Sequence, residues 1–257
     1  MTRSRTLVSA AAVVALLGAC GLDDRASGID AVASDPLEID ATIDSTANEA
    51  VSAVPRPRTA AESALADEVE TLVEPTVARP STVAVVGDSL ARSAEEEILL
   101  SLVRRGLHVV AIDALESRRM SHGGSRLPPG TEAVDAIRAE DAPGVWVVAL
   151  GTNDVASDTS LADFRAEMRD VLDRIPADDP VIWVDLWIGG EEELVARANR
   201  MIRVELRRRS GGTAVVDWYS HGTDAGVITA DGVHLTQTGQ DLFAESIAVA
   251  VDELFAD

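Results

Sequence analysis

Short apolar segments alternate with longer segments of helical spacing from residue 81 to the end of the chain. The apolar segments are rich in β-branched residues and predict five strands, at 82–86, 107–112, 145–150, 181–186 and 213–218. Apolar residues that recur every three or four positions predict helices at 90–105, 131–140, 161–175, 191–209 and 241–255. Because strands and helices alternate, we expect parallel βαβ units. The predicted fold is α/β, a three-layer α/β/α sandwich around a five-stranded parallel sheet.

The N-terminus has the pattern of a targeting segment. Residues 1–5 carry two arginines, residues 7–17 are apolar or small, and Leu-Gly-Ala-Cys follows at 17–20. This order predicts a signal peptide at 1–19, since the apolar run is shorter than the about 20 residues of a membrane span. The tetrad resembles the bacterial lipobox, whose cysteine is lipidated. The resemblance implies a lipid anchor on Cys20 and an extracytoplasmic protein at the bacterial cell membrane. A plain signal peptide with an incidental cysteine is the alternative.

Residues 20–80 differ in composition from the rest of the chain. They are rich in Ala, Asp, Glu, Ser, Thr and Pro, and only residues 60–72 show a weak helical pattern. Such a composition favours an acidic, disordered tether, although a protein-binding segment is an alternative. The predicted organisation is therefore a signal peptide at 1–19, a tether at 20–80 and one folded domain at 81–257.

The charge of the chain limits its partners. Its 257 residues include 44 acidic and 22 basic side chains, which gives a formal net charge of −22. A surface this negative repels nucleic acid, so we expect no nucleic-acid partner. The hydrophobic fraction of 46% is large enough for a sizeable core, and the single cysteine permits no intrachain disulfide.

Polar residues follow the predicted strands at the edge where α/β sheets bind ligands. Ser89 lies in Gly-Asp-Ser-Leu at 87–90, between a strand and a helix. There its hydroxyl faces the crevice and its N–H can stabilise an oxyanion. Asn153 lies in Gly-Thr-Asn-Asp at 151–154, and its amide can also donate to an oxyanion. A helix N-cap and an ordinary turn are the alternative interpretations of these two segments.

A carboxylate and a histidine precede the last predicted helix. Asp231 and His234 are three residues apart, so one loop can bring them into contact. A serine nucleophile needs a base, and the base needs an orienting carboxylate. A solvated surface histidine is the alternative, and His221 with Asp224 is a rival pair.

Taken together, these segments make residues 82–254 resemble the SGNH hydrolases, also called GDSL hydrolases. The resemblance implies that Ser89 is the nucleophile, that Asp231 and His234 form the base, and that Asn153 is an oxyanion donor. The family's remaining oxyanion donor is a glycine N–H after the second strand. Ser117 stands at that position, and Gly123 and Gly124 are the alternatives.

A closer resemblance is to the SGNH domains attached to membrane acyltransferases that modify surface glycans. It rests on residues 181–184, Asn199, residues 215–218 and residues 231–236. It suggests that a Ser-His-Asp esterase acts on an ester of cell-envelope carbohydrate, and no metal or organic cofactor is required. The sparse aromatic residues, 3% of the chain, and the lack of an obvious lid favour short-chain acyl groups, acetyl above all. A carbohydrate O-acyltransferase using the same residues is one alternative. A catalytically inactive, envelope-binding lipoprotein is another.

Several other side chains have structural interpretations. We expect Arg118 and Arg119 to be solvated surface residues, and binding of an anionic substrate group is the alternative. We expect Trp187 and Trp218 to belong to the core or its rim rather than to a sugar platform, and His108 to be structural. The sequence lacks lysine, His-Glu-x-x-His and Gly-x-Ser-x-Gly, which argues against phosphate-loop, zinc and α/β-hydrolase chemistry.

Overall fold

A computed structural model of the chain describes residues 58–121, 127–157 and 159–256. The predicted signal peptide, Cys20 and the tether up to residue 57 lie outside the described residues, as do Gly123 and Gly124. These predictions therefore stay predictions.

One six-stranded sheet forms the centre of the described chain. The strands are β1 (Val69–Val73), β2 (Thr82–Gly87), β3 (His108–Ala114), β4 (Val145–Ala149), β5 (Val181–Val184) and β6 (Thr213–Val216). Their order across the sheet is β1-β6-β5-β4-β2-β3. The five predicted strands are β2 to β6, and all neighbours among them pair in parallel, as predicted. The sixth strand, β1, pairs antiparallel with β6 at one edge.

Helices cover both faces of this sheet. They are α1 (Ala60–Ala66), α2 (Ser89–Ser93), α3 (Glu95–Arg104), α4 (Gly130–Glu140), α5 (Thr152–Ala156), α6 (Leu161–Leu172), α7 (Glu192–Leu206) and α8 (Gln237–Leu254), with a 3₁₀ turn at Tyr219–Thr223. The segment predicted as one helix at 90–105 is two helices. They meet at Ala94, whose φ of −105° and ψ of 17° depart from helical values.

Alternate strand residues point into two separate cores, which confirms the three-layer sandwich. In β2, Val83 and Val85 face a core shared with α2, α3 and α8, whereas Ala84 and Val86 face a core shared with α4, α6 and α7. Strands covered on both faces are apolar throughout, and this is why the sequence pattern revealed them. Trp187 and Trp218 are buried in the first core, as predicted.

The folded region begins before residue 81, so the predicted boundary between tether and domain is wrong. Helix α1 starts with a capping box between Thr59 and Glu62, and its Leu65 is buried. Strand β1 adds polar ties to the domain, because the Glu70 carboxylate accepts hydrogen bonds from Arg203 at 2.6 Å and Arg207 at 2.7 Å. Packing and ion pairs with distant segments therefore order residues that composition alone assigned to the tether.

His221 joins this N-terminal extension to the rest of the fold. Its Nε2 lies 2.7 Å from the Glu68 carboxylate, just before β1, and its Nδ1 lies 2.8 Å from Asp224. Both ring nitrogens are thus occupied by carboxylates, and the side chain is buried. His221 is therefore a structural residue that holds the start of β1 against the 3₁₀ turn.

No helix in the described ranges is long and apolar enough to span a membrane.

We expect a chain that begins at residue 81 to be less stable than one that begins at residue 58. Removing α1 and β1 exposes β6 as a sheet edge and takes Glu70 and Glu68 away from Arg203 and His221. A loss of about 3 kcal/mol would lower the Tm by about 6–12 °C. Thermal and urea unfolding of the two chains measures the difference, and coincident transitions would show that α1 and β1 contribute nothing to stability.

Candidate active site

Ser89 is the first residue of α2, directly after β2. The strand and the helix approach closely there, because a Cβ on Gly87 would lie 2.3 Å from the Cβ of Ala91. Asp88 is the N-cap of α2, and its Oδ1 accepts a hydrogen bond from the Leu90 N–H at 3.0 Å. Ser89 is 6% exposed. Its own N–H lies in the first helical turn, where N–H groups have no partner within the helix.

His234 and Asp231 reach Ser89 from the loop before α8. The Nε2 of His234 lies 3.2 Å from the Oγ of Ser89, and its Nδ1 lies 2.7 Å from Oδ2 of Asp231. In the tautomer whose proton is on Nδ1, the Nδ1–H donates a hydrogen bond to the Asp231 carboxylate. Nε2 is then free to accept a hydrogen bond, and later the proton, from the Ser89 hydroxyl. The two segments predicted from sequence therefore meet in one continuous hydrogen-bonded arrangement of serine, histidine and aspartate.

The carboxylate of Asp231 is held by its own loop. Oδ1 accepts hydrogen bonds from the Thr229 hydroxyl at 2.7 Å and from the N–H groups of Val233 at 2.9 Å and His234 at 3.0 Å. The His234 ring, these backbone groups and the Thr229 hydroxyl hold the pKa of Asp231 well below its usual range. Asp231 thus stays ionised beside the imidazole, and about half of each of the two side chains is exposed to solvent.

Asn153 lies on α5, beside the residue that precedes Ser89. Its Nδ2 donates to the Arg118 carbonyl at 3.0 Å and makes a longer contact of 3.4 Å with Oδ2 of Asp88. The first bond fixes the amide against the loop after β3. The second hydrogen of this NH₂ group is only weakly engaged, so it can donate to a bound oxygen.

Ser117 lies in the loop after β3 and has a left-handed backbone conformation with a φ of 57°. Among the described non-glycine residues it alone has a positive φ. Its N–H has no hydrogen-bond partner within the described ranges. Positive φ is most easily adopted by glycine, which is the residue that the resemblance expects here.

Arg118 is buried, with 1% of its surface exposed, so the expectation of a solvated arginine is wrong. Its Nη2 donates to the Asp113 carboxylate at 2.6 Å, and its Nη1 donates to the Asp113 backbone carbonyl. Nη1 also contacts the Gly87 carbonyl at 3.4 Å, and Nε donates to the Pro128 carbonyl at 3.2 Å. Paired and hydrogen-bonded burial of this kind is the usual condition for an internal charge. The guanidinium therefore ties the ends of β2 and β3 to the loop that carries Ser117.

Arg119 is also engaged rather than free in solvent. It contacts Oδ1 of Asp154 and Oε1 of Glu167, each at 3.3 Å, and donates to the Thr159 hydroxyl at 2.7 Å. Asp154 is fully buried and accepts the Met120 N–H at 3.2 Å. Burial, together with the neighbouring Asp154 carboxylate, raises the pKa of Glu167 to about 8.

Asp88 is a buried carboxyl group next to Ser89. Burial, with a smaller effect from Asp154, raises the pKa of Asp88 to about 7, against the opposing hydrogen bond from Leu90. Below that pH the group is neutral. A neutral carboxyl group does not oppose negative charge that develops on an oxygen nearby.

The remaining predicted residues lie away from this site. His221 is bound by two carboxylates, as described above, so the rival pair with Asp224 is not brought to Ser89. His108 is exposed at the start of β3. Asn199 holds the loop after β5, because its side chain accepts from the Leu186 N–H and donates to the Leu186 carbonyl, both at 2.9 Å. Sequence reasoning predicted no role for Asp113 and did not predict the buried position of Arg118, whereas Asp88 has the N-cap role named as the alternative for residues 87–90.

No protein-family model matches the chain, and no curated protein matches it significantly. Solved structures do match. The esterase EstA from Pseudoalteromonas sp. is 11% identical, with a TM-score of 0.56 over 67% of this chain and 97% of that one. A G-D-S-L family protein from Desulfitobacterium hafniense is 14% identical, with a TM-score of 0.53 over 66% and 98%.

The catalytic domain of peptidoglycan O-acetyltransferase A from Streptococcus pneumoniae also matches. It is 20% identical, with a TM-score of 0.50 over 70% of this chain and 94% of that one. These similarities show that the chain has the fold of the SGNH hydrolases, as the resemblance implied.

Replacing Asp88 by Asn should change how stability depends on pH. A carboxyl group whose pKa is about 7 in the folded state and near 4 in the unfolded state stabilises the fold below pH 4. As the pH rises from 4 to 7 this contribution to the free energy of unfolding is lost. The loss is up to about 4 kcal/mol, because each pKa unit corresponds to about 1.4 kcal/mol. The Asn variant keeps a good N-cap but has no titrating group. Relative to Asp88→Asn, the unaltered chain should therefore lose stability between pH 4 and 7.

Urea unfolding at a series of pH values measures this difference. The variant Asp141→Asn, at an exposed position, is the matched control and should run parallel to the unaltered chain. If the stability of Asp88→Asn also runs parallel to that of the unaltered chain between pH 4 and 7, then Asp88 is ionised throughout this range.

Proposed function

We propose that this protein is a serine esterase of the SGNH type that hydrolyses short-chain acyl esters. The observation that carries the proposal is the continuous arrangement of Ser89 Oγ, His234 Nε2, His234 Nδ1 and Asp231, with distances of 3.2 Å and 2.7 Å. A serine hydroxyl is a weak nucleophile until a positioned base takes its proton, and this arrangement supplies the base.

In the first step, Oγ of Ser89 attacks the ester carbonyl carbon while Nε2 of His234 takes the hydroxyl proton. Asp231 stabilises the resulting imidazolium through Nδ1. Negative charge develops on the former carbonyl oxygen, where the N–H groups of Ser89 and Ser117 and the Asn153 amide can donate. The carbon–oxygen bond to the alcohol then breaks, and the alcohol leaves with the proton from His234.

In the second step, the acyl group leaves Ser89. His234 takes a proton from water, the resulting hydroxide attacks the acyl carbonyl, and Ser89 regains its proton as the acid departs. A sugar hydroxyl in place of water would give an O-acyltransferase with the same residues. The likeness to a peptidoglycan O-acetyltransferase domain supports this as the second candidate. It also supports acetyl as the acyl group and cell-envelope carbohydrate as the alcohol.

We also propose that the protein acts outside the cytoplasm, held to the membrane by a lipid on Cys20. The support is the Leu-Gly-Ala-Cys segment after an apolar run in the sequence. An envelope carbohydrate would then be within reach of an anchored enzyme. A catalytically inactive binding protein is the remaining alternative, which the first experiment below addresses.

The purified chain should hydrolyse p-nitrophenyl acetate, and Ser89→Ala should abolish this turnover. Asp231→Asn should keep the fold but lower kcat by up to about 10⁴-fold, because the amide cannot favour the required imidazole tautomer. Release of p-nitrophenol measures the rate, and circular dichroism verifies folding. Equal rates for the unaltered chain and Ser89→Ala would contradict a serine mechanism. Turnover only with an added sugar acceptor would favour the transferase.

Asn153→Ala should lower kcat by about 10² to 10³-fold with a smaller effect on KM, since an oxyanion donor acts mainly in the transition state. Loss of the bond to the Arg118 carbonyl could also loosen the loop, so thermal unfolding is measured in parallel. Asn199→Ala is the matched control, because this amide holds only the loop after β5. A kcat unchanged by Asn153→Ala would remove Asn153 from the oxyanion site.

A further inference from the structure

A groove lies against β3, the last strand of the described sheet. It lies between β3 and the helices α2 and α3, and its volume is about 780 Å³. Its lining includes Arg92, one turn after Ser89 in the same helix, and Glu116, which directly precedes Ser117. Ser89 and Ser117 do not themselves line the groove, and these two neighbours in sequence relate it to the place where we propose that the ester is cleaved.

The groove combines an apolar floor with an acidic rim. Its floor includes Leu99, which is 42% exposed, and the half-buried residues Val109 and Ile112 of β3. Four glutamates and one arginine line it. The arginine, Arg92, is paired with Glu95, and Glu97 accepts a hydrogen bond from Gln237.

Glu96 and Glu116 are the two lining glutamates that are exposed without an ion-pair partner among the described residues. A bound cation could therefore pair with them without breaking an existing contact. Since the chain as a whole is also strongly acidic, the groove attracts positive charge and repels negative charge.

The strand wall of the groove carries backbone groups without a strand partner. β3 is last in the strand order of the described residues, and four of its residues line the groove, so the N–H and C=O groups on its outer side are not used by another described strand. The register between β2 and β3 shifts near Val110, and such irregularity hinders the regular addition of another peptide strand. Hydroxyl groups of a polyol can use these backbone groups without needing a regular ladder.

We propose that this groove binds the alcohol part of the ester, an extended polyol that carries ammonium groups, such as an amino-sugar chain with free amines. The inference rests on the proposed esterase function, because the ester bond must lie at Ser89. The ammonium groups pair with Glu96 and Glu116, the hydroxyls bond to β3, and the apolar faces of the sugar rings cover Leu99 and Val109. An anionic polyol is excluded by the same carboxylates.

The test uses two substrates that differ in charge. One is an O-acetylated glucosamine trimer with free ammonium groups, and the other is the same trimer with its nitrogens acetylated and therefore neutral. The loss of O-acetyl groups, followed by NMR, gives kcat/KM for each. We expect the cationic trimer to be preferred by about 10-fold at low ionic strength, and less at high salt. The double variant Glu96→Gln, Glu116→Gln should reduce the preference several-fold.

A matched control changes two exposed glutamates elsewhere. The double variant Glu132→Gln, Glu193→Gln makes the same change in net charge on α4 and α7, away from the groove. It should keep the preference for the cationic trimer. An equal loss in both double variants would show that overall charge, and not the groove, selects the substrate, and the proposal would fail.

A binding measurement separates this proposal from the proposed function. Calorimetry with the glucosamine trimer and the Ser89→Ala chain should show binding that the Glu96→Gln, Glu116→Gln change weakens several-fold. Binding of this kind without any ester turnover would support the groove and overturn the esterase. Turnover of p-nitrophenyl acetate with neither binding nor charge preference would overturn the groove alone. A rate that rises with acyl length and falls in Leu99→Asp would assign the groove to the acyl group instead.

Discussion

Parallel pairing of β2 with both β3 and β4 is the constraint on which the site depends. It brings the carboxyl ends of three strands to one edge, so the residues that follow them become neighbours although they are far apart in sequence. Ser89 follows β2, Ser117 follows β3 and Asn153 follows β4. The loop before α8 then needs to supply only one short segment to complete the arrangement.

The buried guanidinium of Arg118 holds the loops that follow the strands, whose positions strand pairing alone does not determine. The guanidinium of Arg118 donates to the Gly87 carbonyl at the end of β2 and to the Asp113 carbonyl near the end of β3, and the backbone carbonyl of Arg118 accepts the Asn153 amide. Through its side chain and its backbone carbonyl, this single residue connects the segments of Ser89, Ser117 and Asn153. An arginine suits this position because its planar group donates in several directions at once and stays charged when buried.

Sequence patterns predicted the parts of the molecule whose causes are local. β2 to β6 were recognisable because strands covered on both faces are continuously apolar, and Asp231 and His234 because they share one loop. β1 was missed because its residues are only half-buried and its order depends on partners such as Arg203. The burial of Arg118 depends on Gly87 and Pro128, which no short motif connects to it.

The serine and the histidine of the active site lie on parts of the chain that differ in their free energy of local unfolding. Ser89 follows a central strand, whereas Asp231 and His234 lie on a half-exposed loop closed by a bridge between Ile228 and Leu235 and a few backbone hydrogen bonds. Such a loop opens at a lower free energy than the whole domain. Amide hydrogen exchange should therefore be faster in this loop than in β2, and mild denaturant should separate the histidine from the serine while the sheet is still intact.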